Sequence, residues 1–175
     1  CPGLSMRLLA EERRSGTIEA LMTTPVTASA VVLGKYTATL LTYALIWVPT
    51  LLYVFILRDT GAVAGSVVFS SYLGLLLVGG FFLALGTLMS ALTKSQMIAM
   101  LLTTLSLFGL FILGIGEQVF EPGLLLDICG HVSILSQLQD FSKGVIDLRR
   151  VVFDLSVLGL SLFVAVRVVD SWRWD

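Results

Sequence analysis

The sequence predicts an all-α membrane protein, a polytopic bundle of transmembrane helices. The first observation is composition: hydrophobic residues make up 57% of the 175-residue chain and charged residues 13%, and the mean hydropathy is +0.96. Soluble domains carry about 25% charged residues, and a soluble fold of this size cannot bury so much apolar surface. The second observation is that four apolar stretches are long enough to cross a bilayer, which takes about 20 helical residues.

The predicted spans differ in their polar content. The first three contain no ionisable residue. Pro49 lacks a backbone N–H, so we expect a kink in the first span. The fourth contains Asp154 in its first turn and Arg167 in its last, and both side chains are expected to reach the interface by snorkelling. The predicted spans are residues 36–57, 67–92, 97–116 and 151–169.

Small residues recur four positions apart in the second span. Such pairs let helix backbones approach closely, which matters because lipid provides no hydrophobic drive between helices. They therefore predict tight helix packing rather than a ligand groove. The pairs are Ser70 and Gly74, Gly80 and Ala84, and Gly86 and Ser90.

Lys and Arg residues flanking the spans predict the orientation. One side of the membrane has seven and the other has four, and an excess of positive residues marks the cytoplasmic side. Both ends of the chain are therefore expected in the cytoplasm, and residues 117–150 are expected to form an extracytoplasmic helical loop. Short helices are expected at 124–128 and 131–141. The loop is either an outer gate or docking surface for an extracytoplasmic accessory protein, or a re-entry loop that caps the bundle.

The sequence contains no catalytic motif that we recognise. P-loop, zinc-protease and nucleophile-elbow patterns are absent. The two cysteines and one histidine match no metal-ligand spacing, and the net charge of −1 gives no basic field for nucleic acid. We therefore expect no enzyme activity, and no metal, cofactor or nucleic acid bound by this chain. Since the first three spans lack charge, energy for transport is expected to come from a partner.

The segment 11–26, on the predicted cytoplasmic side, has the features of a short docking helix. Ser15 or Thr17 can cap the start of a helix, and Glu19 in the first turn suits the helix dipole. Pro25 ends the helix, because the residue before a proline avoids helical geometry.

A helix of about two turns over residues 16–24 would be marginal alone. Ile18, Leu21 and Met22 form its apolar face, which would dock into a groove on another protein or rest on lipid. Helices on lipid surfaces usually carry Lys and Arg on the polar face, and this one carries none. The composition therefore favours a protein partner. Thr27 is then expected to cap the helix that leads into the first span.

Three strings in the chain resemble ABC-2 type transporter permeases. EERRSGTIEALMTTPV, followed by VLGKY, is similar to their first cytoplasmic loop. FSKGVIDLRRVVFDLS and VRVVDSWRW are similar to the gliding-motility-type and multicopper-maturation-type subgroup. The resemblance covers nearly the whole chain. Arg150 departs from it, since an acidic residue is more usual there.

The resemblance implies a six-span permease, of which this chain would be a four-span fragment without the first helix and most of the second. It implies a complex in the cell inner (plasma) membrane, with an ABC ATPase subunit and a second permease subunit in a homodimer or heterodimer. ATP and Mg²⁺ would be bound by the ATPase subunit. Residues 16–24 would form the coupling helix, which moves as a lever when the ATPase closes. The implied interface residues are Glu11, Glu12, Arg13, Arg14, Gly16, Thr17, Ile18, Glu19, Leu21, Met22 and Pro25.

The expected function is therefore ATP-driven export or translocation by a permease subunit that is not itself an enzyme. The alternative is a non-transporting scaffold of an ATPase-driven envelope or motility assembly. An intramembrane enzyme is disfavoured, because the spans lack acid–base pairs. The scattered Thr and Ser residues suit an amphipathic cargo, but they equally suit ordinary hydrogen bonds between helices.

Overall fold

The chain is helical throughout the part that the structure describes, without strands. The structure is a computed structural model. It describes residues 2–5, 8–10, 27–59, 64–116 and 133–172. In chain order its helices are α1 (Pro2–Ser5), α2 (Ala28–Trp47), a 3-10 turn (Val48–Thr50), α3 (Leu51–Asp59), α4 (Gly65–Leu92), α5 (Gln96–Ile115), α6 (Ile134–Ser142) and α7 (Leu148–Ser171).

Four helical stretches are long and apolar enough to cross a membrane, which confirms the predicted class of fold. They are Ala28–Ile56, Gly65–Leu92, Gln96–Ile115 and Leu148–Ser171. The first begins well before residue 36, because the helix continues beyond the purely apolar segment that defined the predicted span. Its start is capped as predicted: Thr27 Oγ1 accepts a hydrogen bond from the Ala30 N–H at 3.3 Å.

The first long stretch changes its hydrogen bonding at Pro49. The α-helix gives way to the 3-10 turn, in which the Leu51 N–H bonds to the carbonyl of Val48, and α3 then resumes. The Thr50 hydroxyl lies 2.6 Å from the Trp47 carbonyl and 2.6 Å from the Tyr72 hydroxyl of α4. A proline cannot donate to the helix ladder, and the 3-10 turn lies where a kink was expected. Hydrogen bonds of the Thr50 side chain stabilise this turn.

The chain divides into two compact units whose boundaries fall inside the long helices. Unit 1 comprises Cys1–Tyr43, Gly79–Leu105 and Ser156–Asp175, and unit 2 comprises Ala44–Val78 and Ser106–Leu155. The helices α2, α4, α5 and α7 therefore each contribute residues to both units. Contacts are described below within each unit.

Unit 1 is held together by a buried apolar cluster. The tyrosines of α2 add specific contacts with α4: the Tyr36 hydroxyl donates to the Gly80 carbonyl at 3.1 Å, and a Cβ at Gly79 would lie 2.2 Å from the Tyr43 ring. Only glycine leaves room for that ring. The cluster consists of Leu9, Ala28, Val32, Tyr36, Leu83, Ala84, Ala91, Leu162, Ala165 and Val169.

In unit 2, helix α6 packs on α4 through its last turn. The Ser70 hydroxyl donates to the Phe141 carbonyl at 2.8 Å, and a Cβ at Gly74 would lie 2.6 Å from atoms of the buried Phe141 ring. Ser133 caps the start of helix α6, since its hydroxyl accepts a hydrogen bond from the Ser136 N–H. The helix is followed by Gly144 in the left-handed region, at φ +83°, as is common after helix ends.

The small-residue pairs of α4 act as the sequence predicts. Ser70 and Gly74 receive Phe141 of α6, within unit 2. Within unit 1, Gly80 receives Tyr36, and Gly86 and Ser90 contact the residues that precede the predicted coupling loop. More than half of the most apolar window of α4, 56%, is buried, against 6% to 22% for the other three stretches. Helix α4 is therefore the central packing element of the described chain.

Candidate functional site

The predicted coupling loop, residues 11–26, lies outside the described residues, and with it all the predicted interface side chains from Glu11 to Pro25. Their roles stay predictions. The structure describes the chain on both sides of the loop, at 8–10 and from Thr27 onward. The contacts of these flanks define where the ends of the loop are attached.

The flank that precedes the loop is bound to α4 through one serine. The N–H groups of Leu9 and Ala10 both donate to Ser90 Oγ, at 3.1 Å and 3.0 Å. All three residues are buried. A serine hydroxyl oxygen has two acceptor positions, so a single side chain can satisfy both donors. We call this arrangement of Leu9, Ala10 and Ser90 the Ser90 contact.

The same flank is also bound to α2, the helix that follows the loop. Lys35 Nζ donates to the Leu8 carbonyl oxygen. Leu9 and the α2 residues Ala28 and Val32 belong to the same buried apolar cluster of unit 1. The chain before segment 11–26 is therefore linked to the helix after it through Leu8 and Lys35.

A glycine brings α1 close to α4 beside the Ser90 contact. A Cβ at Gly86 would lie 2.0 Å from Ser5 Oγ and 3.3 Å from Thr103 Cγ2. Gly86 precedes Ser90 by one helical turn, so both residues lie on one face of α4. Within unit 1, the chain on both sides of the loop and helix α4 thus form one closely packed group.

A second polar cluster lies in unit 2, and here the structure corrects an expectation. Asp154 does not snorkel: its side chain is buried, at 6% exposure, and accepts a hydrogen bond from the Gln137 amide of α6. Burial of a carboxylate is tolerated when a donor satisfies it. Because α6 supplies that donor, the carboxylate need not reach the interface.

Arg150 connects the same cluster to the start of α7. Its Nη1 lies 3.0 Å from Asp140 Oδ2 of α6, and its Nε lies 3.9 Å from Asp147 Oδ2. Asp147 also caps α7, since its Oδ1 accepts from the Arg149 N–H at 3.0 Å. Arg150 is therefore held between two carboxylates.

Sequence reasoning missed Gln137 and Asp140 as members of this cluster. The available signals were Asp154, a charge inside an apolar span, and the unusual Arg150 four residues before it. Neither signal identifies its partner, because Gln137 and Asp154 are 17 positions apart. Among the described residues no group of three His, Cys, Asp or Glu side chains is placed to hold a metal ion. The contacts seen in this cluster join helix α6 to helix α7.

The comparison with protein families identifies the chain. A family model described as ABC-2 family transporter protein matches residues 2–128, which is more than half of the sequence. The chain therefore belongs to the ABC-2 family of transporter proteins, and it is a permease-type, multi-pass membrane subunit of an ABC transporter. Members of this family normally work with an ATPase subunit. No curated protein and no solved structure matches the chain.

The matched range includes segment 11–26, the Ser90 contact, and helices α1 to α5. It ends before α6 and α7, so Gln137, Arg150 and Asp154 lie outside it. The family match therefore covers the chain on both sides of the predicted coupling loop and does not cover the polar cluster of unit 2.

Proposed function

We propose that this chain couples ATP hydrolysis by a separate ATPase subunit to the export or translocation of a substrate. The observation that carries the proposal is the attachment of segment 11–26. Residues on both of its sides contact one another, and the preceding flank is hydrogen-bonded to α4. A force applied to a segment anchored in this way reaches two long apolar helices directly.

The partner contact that we propose is the apolar face of the predicted helix 16–24. Ile18, Leu21 and Met22 would insert into a cleft of the ATPase subunit, which binds the ATP and Mg²⁺. The charged residues Glu11 to Arg14 and Glu19 would form polar contacts around that face. Apolar anchors surrounded by polar residues are the usual composition of a protein interface.

The assembly follows from the same proposal. The chain would pair with a second permease subunit, as a homodimer or heterodimer, in the inner membrane with its carboxyl end in the cytoplasm. The excess of Lys and Arg on that side supports this orientation. We also propose that the chain belongs to the gliding-motility-type and multicopper-maturation-type subgroup, on the string FSKGVIDLRRVVFDLS.

The test is co-purification from detergent-solubilised membranes through a tag on the full-length protein, followed by an ATPase assay of the eluate. We expect a P-loop ATPase subunit to co-elute with the wild type. Leu21→Asp should abolish co-elution, because it places a charge in the centre of the proposed apolar contact. Thr23→Asp is the matched control: it adds the same charge to the opposite face of the predicted helix and should retain the partner.

Three outcomes would count against the proposal. An eluate without ATPase, from membranes in which the chain is intact, would contradict ATP-driven coupling. Retention of the ATPase by Leu21→Asp would show that the ATPase binds somewhere other than residues 16–24. If the ATPase is retained but vesicles show no ATP-dependent translocation of any cargo class tested, the scaffold alternative replaces the transporter.

A further inference from the structure

We propose that Ser90 is a positioning residue for energy coupling: its contact with Leu9 and Ala10 carries movement of the chain beside the coupling loop into helix α4. The inference rests on the proposed function, because that function supplies the movement. It adds a specific connection: the Ser90 hydroxyl joins the chain before the loop to α4, the most buried of the long helices.

The geometry of the Ser90 contact leaves little freedom between the two segments. A serine side chain has one rotatable bond before its oxygen, and this oxygen accepts from two successive N–H groups. Residues 8–10 therefore cannot move far from α4 without breaking both hydrogen bonds. Since Leu9 and Ala10 are buried, at 1% and 0% exposure, breaking the bonds would leave two amide groups without water to replace Ser90.

Side chains around the contact oppose other movements of the same flank. Lys35 Nζ holds the Leu8 carbonyl, one residue before the two donors. The Ser5 side chain packs closely on α4 at Gly86, one turn before Ser90, where there is no side chain in its way. The flank is thus fixed to α2 through a carbonyl and to α4 through two N–H groups, and movement at either end of the loop reaches α4.

Helix α4 is suited to carry such movement. Its 28 residues correspond to a length of about 42 Å at about 1.5 Å per residue, and an unbroken helix moves largely as a body. Displacement of the flank at Ser90 would therefore move the part of α4 that lies in unit 1, residues 79–92.

Thr87 provides a matched control on the same helix. It is as buried as Ser90, but its hydroxyl donates to the carbonyl of Leu83 within α4, at 2.7 Å. Thr87→Val removes a buried hydroxyl and keeps the volume, without removing the bonds to the flank. A difference between Ser90→Ala and Thr87→Val therefore reports on the connection and not on the loss of a buried hydroxyl.

The experiment is amide hydrogen exchange on the full-length protein in complex with its ATPase subunit, with and without Mg²⁺ and a non-hydrolysable ATP analogue. Two peptides are followed: residues 4–10, which precede the loop, and residues 83–92 of α4. In the wild type and in Thr87→Val we expect nucleotide to change the exchange of both peptides. In Ser90→Ala we expect the change to persist in 4–10 and to fall severalfold in 83–92.

Ser90→Ala should also speed nucleotide-independent exchange at Leu9 and Ala10 by about tenfold, since each loses its acceptor. That increase alone is what a purely structural role predicts, so the decisive quantity is the nucleotide-dependent change in 83–92. Ser90→Cys, of similar size and with a weak acceptor sulfur, should fall between the wild type and Ser90→Ala.

The inference is overturned if Ser90→Ala keeps the full nucleotide response in 83–92, or if the wild-type complex shows none there. In both cases the ATPase remains bound, so neither result contradicts the proposed function. Absence of an ATPase subunit from the wild-type preparation would instead overturn the proposed function, and the inference with it.

Discussion

In unit 1 the contacts described above for Ser90, Lys35 and Tyr36 end on main-chain atoms, whereas the polar cluster of unit 2 joins side chain to side chain. Ser90 accepts from two main-chain N–H groups, and Lys35 and Tyr36 donate to main-chain carbonyls. In unit 2, Gln137 meets Asp154 and Asp140 meets Arg150. The first kind of contact depends on one side chain and the second depends on two.

The difference bears on how each unit tolerates change. A contact to the main chain survives substitution of the residue that supplies the backbone group, so the side chains of 8–10 are constrained chiefly by packing. A contact between two specific side chains is lost when either is replaced. The cluster of unit 2 therefore depends on the particular side chains of Gln137, Asp140, Arg150 and Asp154.

The largest effect is expected where α6 contacts α4 most closely. Gly74→Ala should destabilise the protein by about 3 kcal/mol, because the new Cβ overlaps the buried Phe141 ring and forces the last turn of α6 outward. Gly109→Ala is the matched control: its added Cβ meets no atom within 4 Å. Unfolding in mixed micelles measures both. Equal stability of the two variants would show that α6 does not need to lie close to α4.

A smaller effect is expected at the buried carboxylate. Asp154→Leu should cost about 1–2 kcal/mol, because the Gln137 amide loses its acceptor in a buried site. Asp154→Asn keeps the shape of the side chain and one acceptor oxygen. It should lower the free energy of unfolding by less than half as much in the same assay. If the two variants cost the same, the charge near Arg150 stabilises the cluster and the hydrogen bond does not.

The smallest effect is expected at the partly exposed ion pair. Asp140→Asn should cost about 0.2–1 kcal/mol, because Arg150 retains Asp147 nearby and solvent screens the pair. Comparing wild type and variant at low and high salt checks the origin of the difference, which should shrink as salt screens the charges. A salt-independent loss would mean that Asp140 acts through packing of α6.

The fold was predictable from local patterns, and the site was only partly so. Apolar length identified the spans, Pro49 identified the irregularity in the first of them, and the small pairs identified the packing face of α4. The sequence also singled out segment 11–26, whose contacts lie outside the described residues and stay a prediction. It gave no indication that Ser90 would bind Leu9 and Ala10, because small residues in apolar helices usually serve only to let helices approach.

Span length, hydropathy and loop motifs are local properties of the chain, and they were enough to predict a membrane-spanning helical bundle that resembles ABC-2 permeases. Which buried groups contact one another depends on how the helices pack. Ser90 lies 81 and 80 positions from its two donors, and Asp154 is satisfied by a helix that precedes it. The physical reason is that a buried donor or acceptor requires a partner but does not specify where in the sequence the partner lies.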